Sequence, residues 1–153
     1  MIAGIELGGG KTVVAVGDDD GSLGEQFRFP TTTPHETLAT AADWIAAQGS
    51  VSALGIAAFG PVGINRDAPS YGRMLQTPKP GWPDFDLLSA LAAPLPGVPL
   101  ILETDVNAAV LAEVTAGAAL ACRNAAYITI GTGIGSGLIV DGHILHGDLH
   151  SEF

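Results

Sequence analysis

The chain has 153 residues, 47% of them hydrophobic and 14% charged, with a net charge of −10. It is long enough for one apolar core, and its few Lys and Arg disfavour nucleic acid, whose phosphates demand clustered cations. Apolar runs such as VVAV and AAYITI are too short to span a bilayer, no signal peptide is read, and the lone Cys122 offers no disulfide framework; the expectation is a cytoplasmic protein with no membrane and no nucleic-acid partner.

In chain order, IAGIEL (2–7) predicts a strand, GGGK a turn and TVVAVGD (12–18) a second strand. DDDG (18–21) reads as a solvated turn and GEQFRFP (24–30) as a third strand, which makes an antiparallel meander. Thr33-Pro34-His35-Glu36 has the form of a capping box with proline at the first helical position. It opens the helix TLATAADWIAAQ, in which Trp44 is expected to pack on the core. The strand ALGIAAFG leads into a long loop over 60–82, where Trp82 is a candidate border of a ligand site. A short helix around FDLLSALAA, the strand PLILETDV and the helix NAAVLAEVTAGAA follow. The last segment is YITIGTGIGSGLIVDG (127–142), with glycines alternating at 131, 133, 135 and 137.

Such glycine density points to backbone that approaches a phosphate. A dinucleotide fingerprint fails here, because Ser136 stands where its last glycine is needed and an alternating, β-branched strand follows instead of a helix. GGGKT (8–12) likewise resembles the end of a P-loop, but Ile5 stands where that motif needs glycine and the following VVAVGD is a strand. What survives is local physics: glycine turns that expose N–H donors, and Lys11 as a point charge beside them. Strand, glycine loop, strand and Gly-Asp or Asp-Gly turn occur at 2–18 and again at 125–142, which suggests two related domains around one nucleotide.

A second candidate lies in LETDVNAAVLAE (102–113). Asp105 stands where an apolar strand meets a helix, the edge at which α/β sheets bind ligands, and its carboxylate there could accept a substrate hydroxyl's proton. It could equally cap the helix, and Thr104 and Asn107 could either cap or hold a hydroxylated ligand. His143, His146 and His150 lie in strand and loop, so their spacing sets no common metal-binding face and they read as scattered, solvent-facing residues.

GIELGGGKTVVAV, AAFGPVG, TPKPGW, ETDVNAAVLAE, YITIGTGIGSGLIVDG and the terminal HSEF together resemble the sugar kinases of the ROK family, on the fructokinase branch. The resemblance covers essentially the whole chain. It implies an α/β protein of the actin-like ATPase (ribonuclease H-like) fold: a domain with a mixed sheet over 1–122 that carries the sugar site, and over 123–153 the first hairpin of a second, incomplete domain on the nucleotide side. It implies ATP and Mg2+ as cofactors, a hexose substrate, most readily fructose, and a homodimer. Asp105 would be the catalytic base. Gly8, Gly9, Gly10, Lys11 and Thr12 would belong to the first phosphate loop, and Gly131, Thr132 and Gly133 to the second. Gly60, Pro61, Lys79, Gly81, Thr104, Asn107 and Glu152 would line the sugar pocket.

Departures from the family pattern are Gly10 in place of a threonine, and Glu6 in place of the aspartate commoner outside the fructokinase-like branch. The family's chains run to about twice this length, so its zinc-binding Cys/His segment and most of the adenosine pocket would fall beyond residue 153. Two other readings are a sugar-responsive regulator of the same family, disfavoured by a first strand that starts at Ile2, and a non-catalytic fragment that lacks the adenosine pocket.

Overall fold

The computed structural model describes residues 1–131 and 133–146. β1 (Ile2–Leu7), β2 (Lys11–Gly17) and β3 (Leu23–Pro30) form the expected antiparallel meander. β4 (Leu54–Ala58) joins β1 in parallel and β5 (Leu100–Thr104) joins β4 in parallel, giving a mixed sheet of order β3-β2-β1-β4-β5. α1 (Pro34–Ala47) connects β3 to β4, and α2 (Leu87–Ala92) lies between β4 and β5. After β5 come α3 (Asp105–Ala116) and a separate antiparallel sheet of β6 (Ala125–Ile130), β7 (Ile134–Val140) and β8 (His143–Ile144).

The period-two pattern explains the first sheet. Ala3, Ile5 and Leu7 on β1, Thr12, Val14 and Val16 on β2, and Leu54, Ile56 and Ala58 on β4 are all buried on one face. Leu38, Ala41 and Ile45 of α1 and Leu87 and Leu91 of α2 close that face into one core. The capping box holds: Thr33 is the N-cap of α1, and its hydroxyl oxygen accepts from the Glu36 N–H at 3.4 Å. The same hydroxyl donates to the Glu36 carboxylate at 2.8 Å, which holds that carboxyl below the ordinary glutamate range.

The stretch over 60–82 is more ordered than a loop. Val62 bridges Met74, Gly63 N–H donates to Arg73 O and Leu75 N–H to Pro61 O, so the chain folds back on itself as an irregular hairpin. Trp82 is entirely buried, its Nε1–H donating to Thr32 O at 2.9 Å and its ring edge-on to Phe59. This corrects its placement beside a ligand: a sealed indole offers no face, and isolated apolar residues in an irregular stretch carry no periodicity that would mark them as core. Trp44 is partly buried and stacks on Phe27, a packing role as expected. α3 starts at Asp105, two residues before the predicted Asn107, because Thr104 rather than Asp105 is its N-cap.

Candidate active site

Because β1, β4 and β5 run parallel, their C-terminal ends emerge on one edge of the sheet. Leu7 pairs with Ala58 and Ala58 with Thr104, so the segments beginning at Gly8, Phe59 and Asp105 leave the sheet at one level. This brings together residues far apart in sequence: the Gly8–Gly10 turn, Gly60–Pro61 (a cis peptide) and Asp105. A parallel sheet places ligands at this edge, since strand ends and helix starts there leave polar groups turned outward.

The first glycine turn has all three carbonyls held by the protein. Gly8 O accepts from the Thr31 hydroxyl at 2.7 Å and Gly10 O from Thr31 N–H at 3.1 Å. Gly9 O accepts from Lys79 Nζ at 2.6 Å. Gly8 N–H closes the turn onto Lys11 O, while among the described residues no acceptor takes the N–H of Gly9 or Gly10, both exposed. Carbonyls held by the protein and exposed N–H groups left without a protein acceptor are the features an anion-binding turn requires. Lys11 is exposed beside it, whereas Thr12 departs from the expected role. Strand alternation turns Thr12 into the core, fully buried with its hydroxyl 2.8 Å from that of Thr31, so it is not available to a phosphate.

Asp105 opens α3, with its Oδ1 accepting from Val106 N–H at 2.9 Å. Its carboxylate thus sits at the helix's positive end, oriented by the backbone. Thr104 and Asn107, both expected at a sugar, are buried and engaged on the protein itself. The Thr104 hydroxyl accepts from Asn107 N–H at 3.2 Å, and Asn107 Nδ2 donates to Glu103 Oε1 at 3.0 Å. Glu103, which sequence reasoning did not single out, is the hub: its Oε1 also takes Thr104 N–H, and its Oε2 lies 2.7 Å from His146 Nε2. His146 is therefore not simply solvent-facing; it ties the end of the second sheet to Glu103 on β5, the strand that leads into Asp105. Thr31 was missed as well, since a threonine triplet after a strand carries no distinctive signal.

The second glycine series divides into two kinds. Gly131 closes its turn by donating to Gly133 O, and a Cβ at Gly131 would meet nothing. Gly135 and Gly137 face the first turn of α3 instead: a Cβ at 137 would lie 2.2 Å from Val106 O, and one at 135 would lie 3.0 Å from Val106 Cγ1. Two of the four glycines thus serve helix–strand approach, which a phosphate-loop reading of the pattern does not anticipate. Gly81 adopts the left-handed conformation (φ 82°) in the exposed turn between Lys79 and Trp82. Thr132, His150 and Glu152 lie outside the described residues.

Residues 2–153 match the ROK family. The chain is 43% identical to a fructokinase of Pediococcus pentosaceus over 152 residues, covering 99% of this chain and 52% of that protein. It is 39% identical to a fructokinase of Zymomonas mobilis, covering 97% of this chain and 50% of the relative. Among solved structures, a ROK family glucokinase from Streptomyces griseus in complex with glucose and AMPPNP superposes with a TM-score of 0.82 at 27% identity, over 97% of this chain and 47% of the other. The chain spans about half the length of the curated relatives it matches. The mixed sheet and the smaller second sheet are those of the actin-like ATPase fold of these sugar kinases.

Proposed function

Because this chain belongs to the ROK family, we propose that it works within an ATP-dependent hexose kinase, with fructose as the sugar and fructose 6-phosphate and ADP as products. The observation that carries the reading is Asp105, set at the end of β5 on the sheet edge that also presents the first glycine turn. A sugar hydroxyl is a poor nucleophile until its proton has an acceptor. Asp105 takes that proton as the oxygen bonds to the γ-phosphorus, the bond from phosphorus to the bridging oxygen breaks, and ADP leaves with that electron pair. The outward N–H groups of Gly9 and Gly10, with Lys11, stabilise the negative charge on the transferring phosphate's neighbours.

Magnesium suits this site as a passenger on the nucleotide. Among the described residues no three His, Cys, Asp or Glu side chains gather as a metal cage, and Mg2+ commonly binds through substrate phosphates, a carboxylate or two and water. Bound in that way it would neutralise phosphate charge. Glu6 and Glu103, which flank Ala57 in one cross-strand row, and Asp105 at the end of that edge are the carboxylates that could hold it, directly or through water. The lone exposed Cys122 suits a reducing cytoplasm, and a homodimer is part of the same reading.

The test is Asp105→Asn in a kinase of full family length that carries this sequence. The side chain keeps its shape and loses its basicity, so kcat should fall by ~10²–10⁴ with little change in KM for ATP. Near-normal turnover would remove Asp105 from the chemistry.

A further inference from the structure

The Lys79 ammonium lies not in an open pocket but against two backbone carbonyls, Gly9 O at 2.6 Å and Thr31 O at 3.0 Å. Thr31 in turn holds the other two carbonyls of the glycine turn, Gly8 O through its hydroxyl and Gly10 O through its N–H. Lys79 therefore closes a brace behind residues 8–10, and it is the side chain that fastens the middle glycine. Without it, Gly9 O would lose the donor that holds it while Gly8 O and Gly10 O kept Thr31, and glycine has the widest backbone freedom.

We propose that Lys79 is a positioning residue for the first glycine turn, holding Gly9 O and Thr31 O so that the Gly9 and Gly10 N–H groups are set for a bound polyphosphate. This rests on the reading of residues 8–11 as a phosphate loop. A free glycine peptide flips at low cost and would present either its N–H or its carbonyl to an anion. A charge-assisted hydrogen bond to the carbonyl selects the first orientation and leaves a positive charge behind the turn. The same lysine belongs to TPKPGW, whose Trp82 donates to Thr32 O, so this segment is tied both to the glycine turn and to the threonines behind it. This role is additional to the expected one at the sugar pocket, since two of the three ammonium N–H groups are spent on these carbonyls.

The experiment uses the 15N-labelled chain, in wild-type form and as Lys79→Met and Lys79→Arg. Amide exchange reads the brace, and titration with inorganic triphosphate, with fructose as the control, reads the anion site. In Lys79→Met the Gly8 and Thr31 amides should exchange roughly ten-fold faster, as expected for loss of a charged hydrogen bond, with α1 unchanged. Triphosphate-induced shifts at Gly9 and Gly10 should weaken by a similar factor, and Lys79→Arg, which keeps the charge, should recover most of both. Unchanged exchange in Lys79→Met overturns the proposal, as does faster exchange with undiminished triphosphate binding. Absence of triphosphate shifts in the wild type also overturns it, and so does a loss confined to fructose-induced shifts, which would make Lys79 a sugar contact. Failure of the kinase reading shows separately, as turnover that ignores Asp105→Asn, and leaves the exchange comparison intact.

Discussion

Gly137 of β7 lies so close to Val106 of α3 that a Cβ added there would stand 2.2 Å from the Val106 carbonyl oxygen and 2.9 Å from Asn107 N. The second sheet is thereby seated on the helix that carries Asp105. Gly137→Ala should cost ~1–3 kcal/mol, because backbone cannot yield as a side-chain tip would. Gly131→Ala, where the added methyl meets nothing, should stay within ~0.5 kcal/mol. Urea unfolding of the two variants side by side checks the contrast, and equal costs would contradict it.

The Glu103 hub predicts an ordering of substitutions. His146→Ala removes a half-exposed imidazole from a Glu103 carboxylate that keeps Thr104 N–H and the Asn107 amide as donors, and should cost below ~1 kcal/mol of global stability. Its main effect should be faster exchange of the Leu145 N–H, which donates to Leu138 O beside it. Glu103→Ala also strips the acceptor from the buried Asn107 amide, for a further ~1–3 kcal/mol. Thermal melts rank the two, and a larger loss for His146→Ala would refute the hub.

The cap of α1 is pH-dependent. Glu36 has its pKa lowered in the folded chain, chiefly by the Thr33 hydroxyl, so its contribution is fully present above the ordinary glutamate pKa and is lost as pH falls through the folded value. The stability gap between wild type and Glu36→Gln should therefore be widest near neutrality and shrink in acid below the usual glutamate range. Urea midpoints measured at neutral and acidic pH give the sign directly.

Substrate preference follows from the proposed function. Fructose should be phosphorylated faster than glucose or mannose by a full-length kinase bearing this sequence. A coupled ADP assay over a hexose panel decides it, and a clear preference for glucose would overturn the assignment.

The outer face of the second sheet exposes Ile128 (62%), Ile130 (80%) and Ile134 (47%), with Leu138 and Val140 beside them. An apolar sheet face of this kind seeks cover. The 153-residue chain should self-associate through it, and Ile128→Lys with Ile130→Lys should return a monomer in sedimentation velocity.

Much of the architecture was legible along the chain. Period-two burial and turn chemistry located the strands, and the Thr33–Glu36 box located the start of α1, because these are interactions between near neighbours. Asp105 could be placed at a strand–helix junction, since that junction is itself local. Which residue caps that helix, and which polar groups the protein consumes, depended on partners far away in sequence. Thr12 turned inward to meet Thr31, Asn107 was taken by Glu103, Lys79 reached Gly9, and Trp82 sank onto Phe59. Most telling is the glycine series: composition marks 131 to 137 as one motif, yet only packing shows that 135 and 137 make room for α3. A glycine reports that a side chain is not tolerated; what would collide with it is a tertiary fact. The sequence by itself determined the strands, the cap and the family resemblance, and the tertiary structure decided which of the candidate polar groups still face outward, because each buried donor or acceptor had first to find its partner within the fold.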